Sequence, residues 1–245
     1  MAAPTSTPGG GRLFEREHTV SPAEVGPDGD AHLDAIARWL QDVAFRDVLD
    51  AGLHDSAAWI VRRTAIRIAK PPRFAESLQV QTRCSGLANS VAERRTSIAG
   101  AAGARVEAAA LWVQVDPETR MPARFSDEFL AVYGPSASGQ RPRTRLRHEA
   151  PPGDCERLEW RFREADVDLA GHVNNAVYWQ VAEQHLPAPR AGGALEIEFR
   201  GGTEAGPVSL LRGAEMVWVL DEAGAVAASI AALPPATGPE GGPPQ

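Results

Sequence analysis

The chain has 245 residues, 43% hydrophobic and 23% charged, with a formal net charge of -7. That length suits one globular domain or two small ones, with core enough to fold without covalent staples. Two cysteines, Cys84 and Cys155, exclude a disulfide scaffold and a cysteine-rich metal site. The acidic balance argues against a dedicated nucleic-acid binder. No run approaches the ~18 apolar residues of a membrane-spanning helix. The opening MAAPTSTPGGG lacks the basic and apolar regions of a secretory signal, so a cytoplasmic location is expected, with no membrane partner.

In chain order, residues 1–11 read as a disordered tail of Pro, Gly, Ser and Thr. Leu13 to Val20 alternates and predicts a strand. Leu33, Ile36, Ala37, Leu40, Val43, Ala44 and Val48 recur at helical spacing, which predicts a helix over Leu33 to Leu49, with Gly52 as its stop. Trp59 to Ile68, Leu78 to Cys84, Val91 to Ala99 and Arg105 to Val115 read as strands separated by turn residues. A short helix is expected at Ser126 to Tyr133. The stretch Gly134 to Gly153 is rich in Pro, Gly and Ser, so residues 135–153 are placed as a linker between domains at 12–134 and 154–233. The second half reads as a strand at Leu158 to Phe162, a loop at Glu164 to Asn174 and a helix at Asn175 to Leu186. Strands follow at Leu195 to Phe199, Glu215 to Leu220 and Ala225 to Leu233. Residues 234–245 are a second disordered tail.

Each half therefore predicts one long helix with several antiparallel strands. A lone helix can be covered only by a sheet that wraps it, which is the hot-dog arrangement. Two such units in one chain can pair their sheets and remove an exposed edge. The expected fold is α+β, a double hot-dog. A weak repeat supports it: Glu24 to Leu33 takes the place of Glu164 to Val173. Two unrelated α+β domains are the alternative.

The segment richest in chemistry is Asp166 to Trp179, DVDLAGHVNNAVYW, at a loop running into a helix. Thioester hydrolysis needs a base or nucleophile, and a carboxylate beside a helix start serves either role. It needs donors to the carbonyl oxygen, which the free N–H groups of a helix N-terminus supply. The leaving thiolate needs little acid help. Asp168 is the candidate base or nucleophile, with His172 and Asn174 as its helpers. N–H groups near Asn174 to Ala176 are the candidate carbonyl donors. Asn175, Tyr178 and Glu183 are candidate substrate-binding residues, with Glu183 a reserve base. No second histidine or cysteine stands at ligand spacing near His172, so no metal is expected.

GHVNNAVY preceded by DVD resembles the signature of hot-dog thioesterases. The tandem layout resembles the acyl-acyl-carrier-protein (acyl-ACP) thioesterases. Pro72 to Thr82, PRFAESLQVQT, is similar to a Pro-Arg-x-x-Glu stretch of that family. Leu40 to Leu53 is similar to the end of its first helix. The resemblance spans about Leu13 to Leu233 and implies hydrolysis of fatty acyl thioesters in fatty acid biosynthesis. It implies acyl carrier protein or CoA as the carrier, water as second substrate and no cofactor. It also implies an acyl pocket built largely by the first half. The chain departs from the plant members' Asp-x-Asn-x-His run, having Asp168, Ala170 and His172. Their glutamate aligns with Gly202, and Glu204 is out of register. Asp168 fits that run and also the single-unit acyl-CoA thioesterases, whose DxDxxG run does not require the asparagine. An acyl-CoA thioesterase and a non-catalytic binding module for an acyl group or carrier protein are the alternatives.

Plainer readings stand beside these. Asp168 and Asn175 suit helix capping, Tyr178 and Trp179 suit core packing, and His172 suits a backbone-bonded loop. Arg141, Arg143, Arg145 and Arg147 form a basic stripe, read as solvated linker. The expected assembly is a monomer with an internal pseudo-dimer, or a homodimer.

Overall fold

The computed structural model describes residues 10–53, 58–187 and 193–234. Most of both expected tails therefore lies outside the described residues. The first half runs β1 (Phe14–Thr19), α1 (Leu33–Asp50), β2 (Ala58–Lys70), β3 (Ser77–Ala88), β4 (Val91–Gly100), β5 (Arg105–Val115) and α2 (Asp127–Ala137). The second runs β6 (Glu156–Phe162), α3 (Tyr178–His185), β7 (Gly193–Phe199), β8 (Gly206–Arg212), β9 (Met216–Leu220) and β10 (Val226–Leu233).

All strands join one ten-stranded sheet in the order β1-β3-β4-β5-β2-β7-β10-β9-β8-β6. Read inward from either edge, the two halves have the same strand sequence, so the molecule has an internal pseudo-twofold axis between β2 and β7. Those two strands pair antiparallel, with Thr64 opposite Ile197 and Ile66 opposite Leu195. Each half thus covers the sheet edge that its partner would leave open.

Strand alternation sets the core. On β3, Leu78, Val80, Thr82 and Cys84 are buried at every second position. They face α1, whose Ile36, Leu40 and Val43 are buried in turn. In the second half, Tyr178, Trp179, Val181 and Ala182 pack against Leu195, Ile197, Leu210 and Ile230. The α2 helix covers the far end of α1. Phe129 and Tyr133 are buried there with Cys84 and Ala92. Burial pushes the Cys84 thiol up to about 11, which leaves it inert at neutral pH.

Asp47 on α1 is 1% exposed, yet it accepts from Arg12 at 2.6 Å, Arg94 at 2.6 Å and the Tyr133 hydroxyl at 3.0 Å. Three donors answer one buried carboxylate, as a buried charge requires. They tie the segment before β1, α1, β4 and α2 together. Glu76, of the PRFAE stretch, plays a similar part. Its carboxylate accepts from the N–H groups of Arg73, Ala102 and Ala104, knotting two turns.

Three elements differ from the sequence reading. Strand β8 was not predicted, because its Gly206-Pro207 start reads as a turn. Helix α2 continues through Pro135 to a left-handed cap at Ser138. The segment placed as a linker is not a free tether but a strap across the outer face of the sheet. Leu87 donates to the Gln140 carbonyl, Arg63 to the Arg143 carbonyl, and Trp218 to the Glu149 carbonyl. Glu198, fully buried, accepts from the N–H groups of Arg147 at 2.6 Å and His148 at 3.0 Å. His148, Glu196 and Glu198 bring ligand-type atoms within 4.8 Å of one another. Arg63 and Arg200 lie against those carboxylates, so the group is charge-balanced and latches the strap. The side chains of Arg141, Arg143, Arg145 and Arg147 are exposed along it, as a solvated stripe would be.

Candidate active site

The loop between β6 and α3 is built by its own backbone. Asp166 ends a single turn and is 6% exposed. It accepts from the Arg163 N–H at 2.8 Å and the Arg163 guanidinium at 2.6 Å. Burial opposes ionisation of Asp166, but these Arg163 bonds hold its pKa below the usual carboxylate value. Asp168 N–H donates to the His172 carbonyl, and Gly171 N–H donates to the Asp168 carbonyl. That tight closure needs φ of 79° at Gly171, which glycine adopts without strain. Asn174 N–H donates back to the Asp166 carbonyl and Val173 N–H to the Thr203 carbonyl, so the loop is held on both sides.

Asp168 is half-buried at the tip of this frame. One carboxylate oxygen accepts from the Ala170 N–H at 2.9 Å, the other from the Asn174 side-chain amide at 3.0 Å. The Asn174 side-chain amide oxygen accepts from the Ala176 N–H at 2.8 Å. Asn174 therefore links the carboxylate to the turn that leads into the second helix. Residues 175–177 form turns, and α3 proper begins at Tyr178. Of the candidate carbonyl donors, Asn174 and Ala176 N–H are already bonded. Asn175 N–H has no hydrogen-bond partner among the described residues.

The other candidates are placed apart from Asp168. The His172 side chain is exposed and has no hydrogen bond to Asp168. Its ring lies over Gly202, where a Cβ would fall 2.8 Å from the ring carbon Cγ. A glutamate at Gly202 would collide with it, so the departure at that position and the pose of His172 go together. Glu204 is exposed. Tyr178 is 1% exposed, in the core between Phe162 and Phe199, with its hydroxyl 2.7 Å from Thr203. It holds the loop's neighbour in place. Glu183 sits at the start of the other helix. It accepts from His32 Nδ1 at 2.6 Å and from the Leu33 N–H at 2.7 Å.

One cavity adjoins the helix start and a second lies beside it in the first half. A narrow one of about 20 Å³ is lined by Asn175, Ala176 and Trp179 together with Ala37, Gln41 and Thr64. A wider one of about 240 Å³ lies wholly in the first half, among Ala44, Phe45, Val48, Trp59, Ala92 and Phe129. Gln41, Arg94 and Trp112 line both. An apolar chamber thus leads toward a helix N-terminus, the arrangement of a site that takes an apolar chain with a polar head.

The first half repeats this loop. Gly26 N–H donates to the Asp30 carbonyl, Gly29 N–H to the Gly26 carbonyl, and His32 N–H to the Glu24 carbonyl. Gly29 has φ of 81°. Bond for bond, Gly26 corresponds to Asp168, Gly29 to Gly171, His32 to Asn174 and Leu33 to Asn175. The repeat is real, but its register lies two residues from the alignment of Glu24 with Glu164.

Residues 11–133 match the acyl-ACP thioesterase N-terminal domain, and residues 149–190 match the acyl-ACP thioesterase C-terminal domain. The chain belongs to the acyl-ACP thioesterase family. It is a thioester hydrolase on two tandem hot-dog units. It is 25% identical over 209 residues to an uncharacterized protein of Mycobacterium tuberculosis, covering 84% of each chain. It is 25% identical over 193 residues to the oleoyl-acyl carrier protein thioesterase 2 of Arabidopsis thaliana, covering 69% of this chain and 52% of that one. The fold matches the acyl-ACP thioesterase of Bacteroides thetaiotaomicron with a TM-score of 0.74, at 16% identity and 90% and 97% coverage. It matches the 12:0-ACP thioesterase of Umbellularia californica with a TM-score of 0.72, at 18% identity and 90% and 96% coverage. No helix among the described residues is long and apolar enough to cross a membrane.

The sequence reading missed Gln41. A signal was present: Ala37, Gln41, Ala44 and Val48 fall on one helical face, small residues with one polar group among them. Small side chains facing a sheet leave room, and a lone amide in that stripe marks a polar end.

Proposed function

We propose that the protein hydrolyses fatty acyl thioesters of acyl carrier protein, releasing the free acid within fatty acid synthesis. Asp168 acts as general base. The observation that carries this reading is the link Asp168–Asn174–Ala176 beside an open Asn175 N–H at a cavity wall. The Asn174 and Ala170 donors fix the carboxylate in place, and each of its oxygens retains a lone pair for water. Asp168 takes a proton from water as the oxygen attacks the thioester carbon. The carbonyl electrons move onto oxygen, where the Asn175 N–H and the helix dipole meet the negative charge. The tetrahedral species collapses, the C–S bond breaks, and the thiolate leaves with the proton held by Asp168. The acyl chain occupies the chamber of about 240 Å³ in the first half. The family matches over both halves support the reaction class and the carrier.

The test is thiol release from acyl-carrier-protein and acyl-CoA panels, wild type beside Asp168→Asn. We expect turnover preferring the protein carrier, falling about 10³-fold in the variant with melting temperature unchanged. Wild-type rates in the folded variant would overturn the assignment of Asp168. Bound acyl ligand with no turnover by wild type would make the protein a binder.

A further inference from the structure

The pseudo-twofold axis places two helix starts in the same surroundings, and they are treated differently. At the start of α1, the Leu33 N–H is not open. The Glu183 carboxylate, from the second turn of α3, accepts it at 2.7 Å and takes His32 Nδ1 at 2.6 Å. Under the bond-for-bond correspondence above, Leu33 maps to Asn175 and His32 to Asn174. The burial patterns of the two helices align with the same offset, and Glu183 maps to Gln41. Gln41 rises from α1 toward the α3 end just as Glu183 rises from α3 toward the α1 end. It lines the same narrow cavity as Asn175 and Ala176. Its side-chain amide has no hydrogen-bond partner among the described residues, and neither has the Asn175 N–H.

We propose that the Gln41 side-chain amide is the second donor to the thioester carbonyl oxygen, opposite the Asn175 N–H. The inference rests on the hydrolase reading above and adds a residue from the other half to it. The substrate oxygen sits where a Glu183 oxygen sits in the repeat: within reach of the helix's open N–H and of the side chain crossing from the partner helix. A lone N–H is a weak hole, and an amide adds a preorganised dipole without a charge. Glutamate is excluded at this place for two reasons. Its carboxylate would accept the Asn175 N–H itself, as Glu183 does with Leu33. It would also set a negative charge against the developing oxyanion.

The opposition of stability and activity makes the test sharp. A carboxylate capping a helix start is stabilising, so Gln41→Glu is expected to raise the melting temperature, by about 2–4 °C, while removing activity. Steady-state thiol release from acyl carrier protein would be measured for full-length wild type, Gln41→Glu, Gln41→Ala and Asp168→Asn. We expect kcat to fall about 10²-fold in Gln41→Ala, with KM within about threefold, since the bond forms with the transition state. Gln41→Glu is expected to fall further. Gln41→Glu at wild-type kcat, or a Gln41→Ala effect carried by KM alone, would overturn the proposal. If Asp168→Asn collapses while Gln41→Ala stays within twofold of wild type, this inference fails and the hydrolase reading stands. If wild type releases no thiol, both fail together.

Discussion

The two helix starts share a loop geometry and differ in what they leave open. Around α3 stand Asp168, Asn174, an open Asn175 N–H and Gln41 crossing from α1. Around α1 stand Gly26, His32, a closed Leu33 N–H and Glu183 crossing from α3. The chamber follows the same division. Helix α1 runs on to Asp50 and presents Ala44, Phe45 and Val48 to the cavity. Helix α3 stops at His185, the counterpart of Val43, and Leu186, the counterpart of Ala44, is buried. In the proposed function, one copy of the repeat is the site and the other is a brace. The lesson of that reading is that the site is shared. The second half supplies the carboxylate loop and the helix start, and the first supplies the chamber and the facing amide. Neither half holds the whole arrangement.

Exchanging a residue for its counterpart is the direct way to break this contrast. After Gln41→Glu, the largest effect is expected from Asn174→His, which gives the proposed working loop the residue of the brace. In the first half that histidine is held by Glu183. In the second it would face Gln41, which carries no charge. Asp168 would lose its amide donor and Ala176 N–H its acceptor. We expect kcat about 10²-fold down and stability lower by about 1 kcal/mol. Thiol-release kinetics with a melting curve checks both. A variant as fast as wild type would mean that Asp168 needs no support from Asn174.

How far the sequence foretold this contrast follows from the range of the signals. The sheet-wrapped helices were legible because periodicity is local: Leu33 to Val48 shows its apolar face without help from the rest of the chain. The contact of Asp168 with Asn174 was legible because they lie six residues apart on one loop. Gln41, more than a hundred residues away, reaches the site only through the pairing of β2 with β7. No spacing in the chain records that pairing. The same limit applied to Glu183. Helical spacing put it on a plausible face, but its partner, the Leu33 N–H, lies in the other half. The strap was misread for the opposite reason. Its Pro and Gly content reports a chain without regular structure, and the segment has none. Its backbone is nevertheless fixed, because buried Glu198 and Arg63 need its N–H and carbonyl groups.

A smaller effect is expected from Ala44→Leu, which gives the chamber the bulk of the counterpart Leu186. Extra methylenes here take space from the end of an acyl chain. Rates on long acyl groups are expected to fall about 10-fold, and rates on short ones to stay near wild type. A panel of chain lengths on one carrier reads this directly. An equal loss on every length would place the acyl chain elsewhere or point to general overpacking.

The smallest effect belongs to the brace, and it depends on pH. The Glu183 bond raises the His32 pKa above its ordinary 6.5, although burial opposes this. A histidine with a raised folded-state pKa contributes stability that is full below its unfolded value. The contribution is lost as pH climbs through the folded value. With both side chains more than a third exposed, solvent screens the pair, and its worth is under about 1 kcal/mol. Wild type should therefore exceed Glu183→Gln in melting temperature most at about pH 5.5–6. The gap should narrow as pH rises past the ordinary histidine range. The variant keeps an oxygen for the Leu33 N–H, so the pH-dependent part isolates the charge. Parallel melting curves across that range would show that the pair is neutral throughout. The working helix start has an amide in place of each member of this pair, Asn174 for His32 and Gln41 for Glu183. Neither amide titrates, so the proposed supports of Asp168 and of the carbonyl oxygen stay constant across the pH range in which the brace weakens.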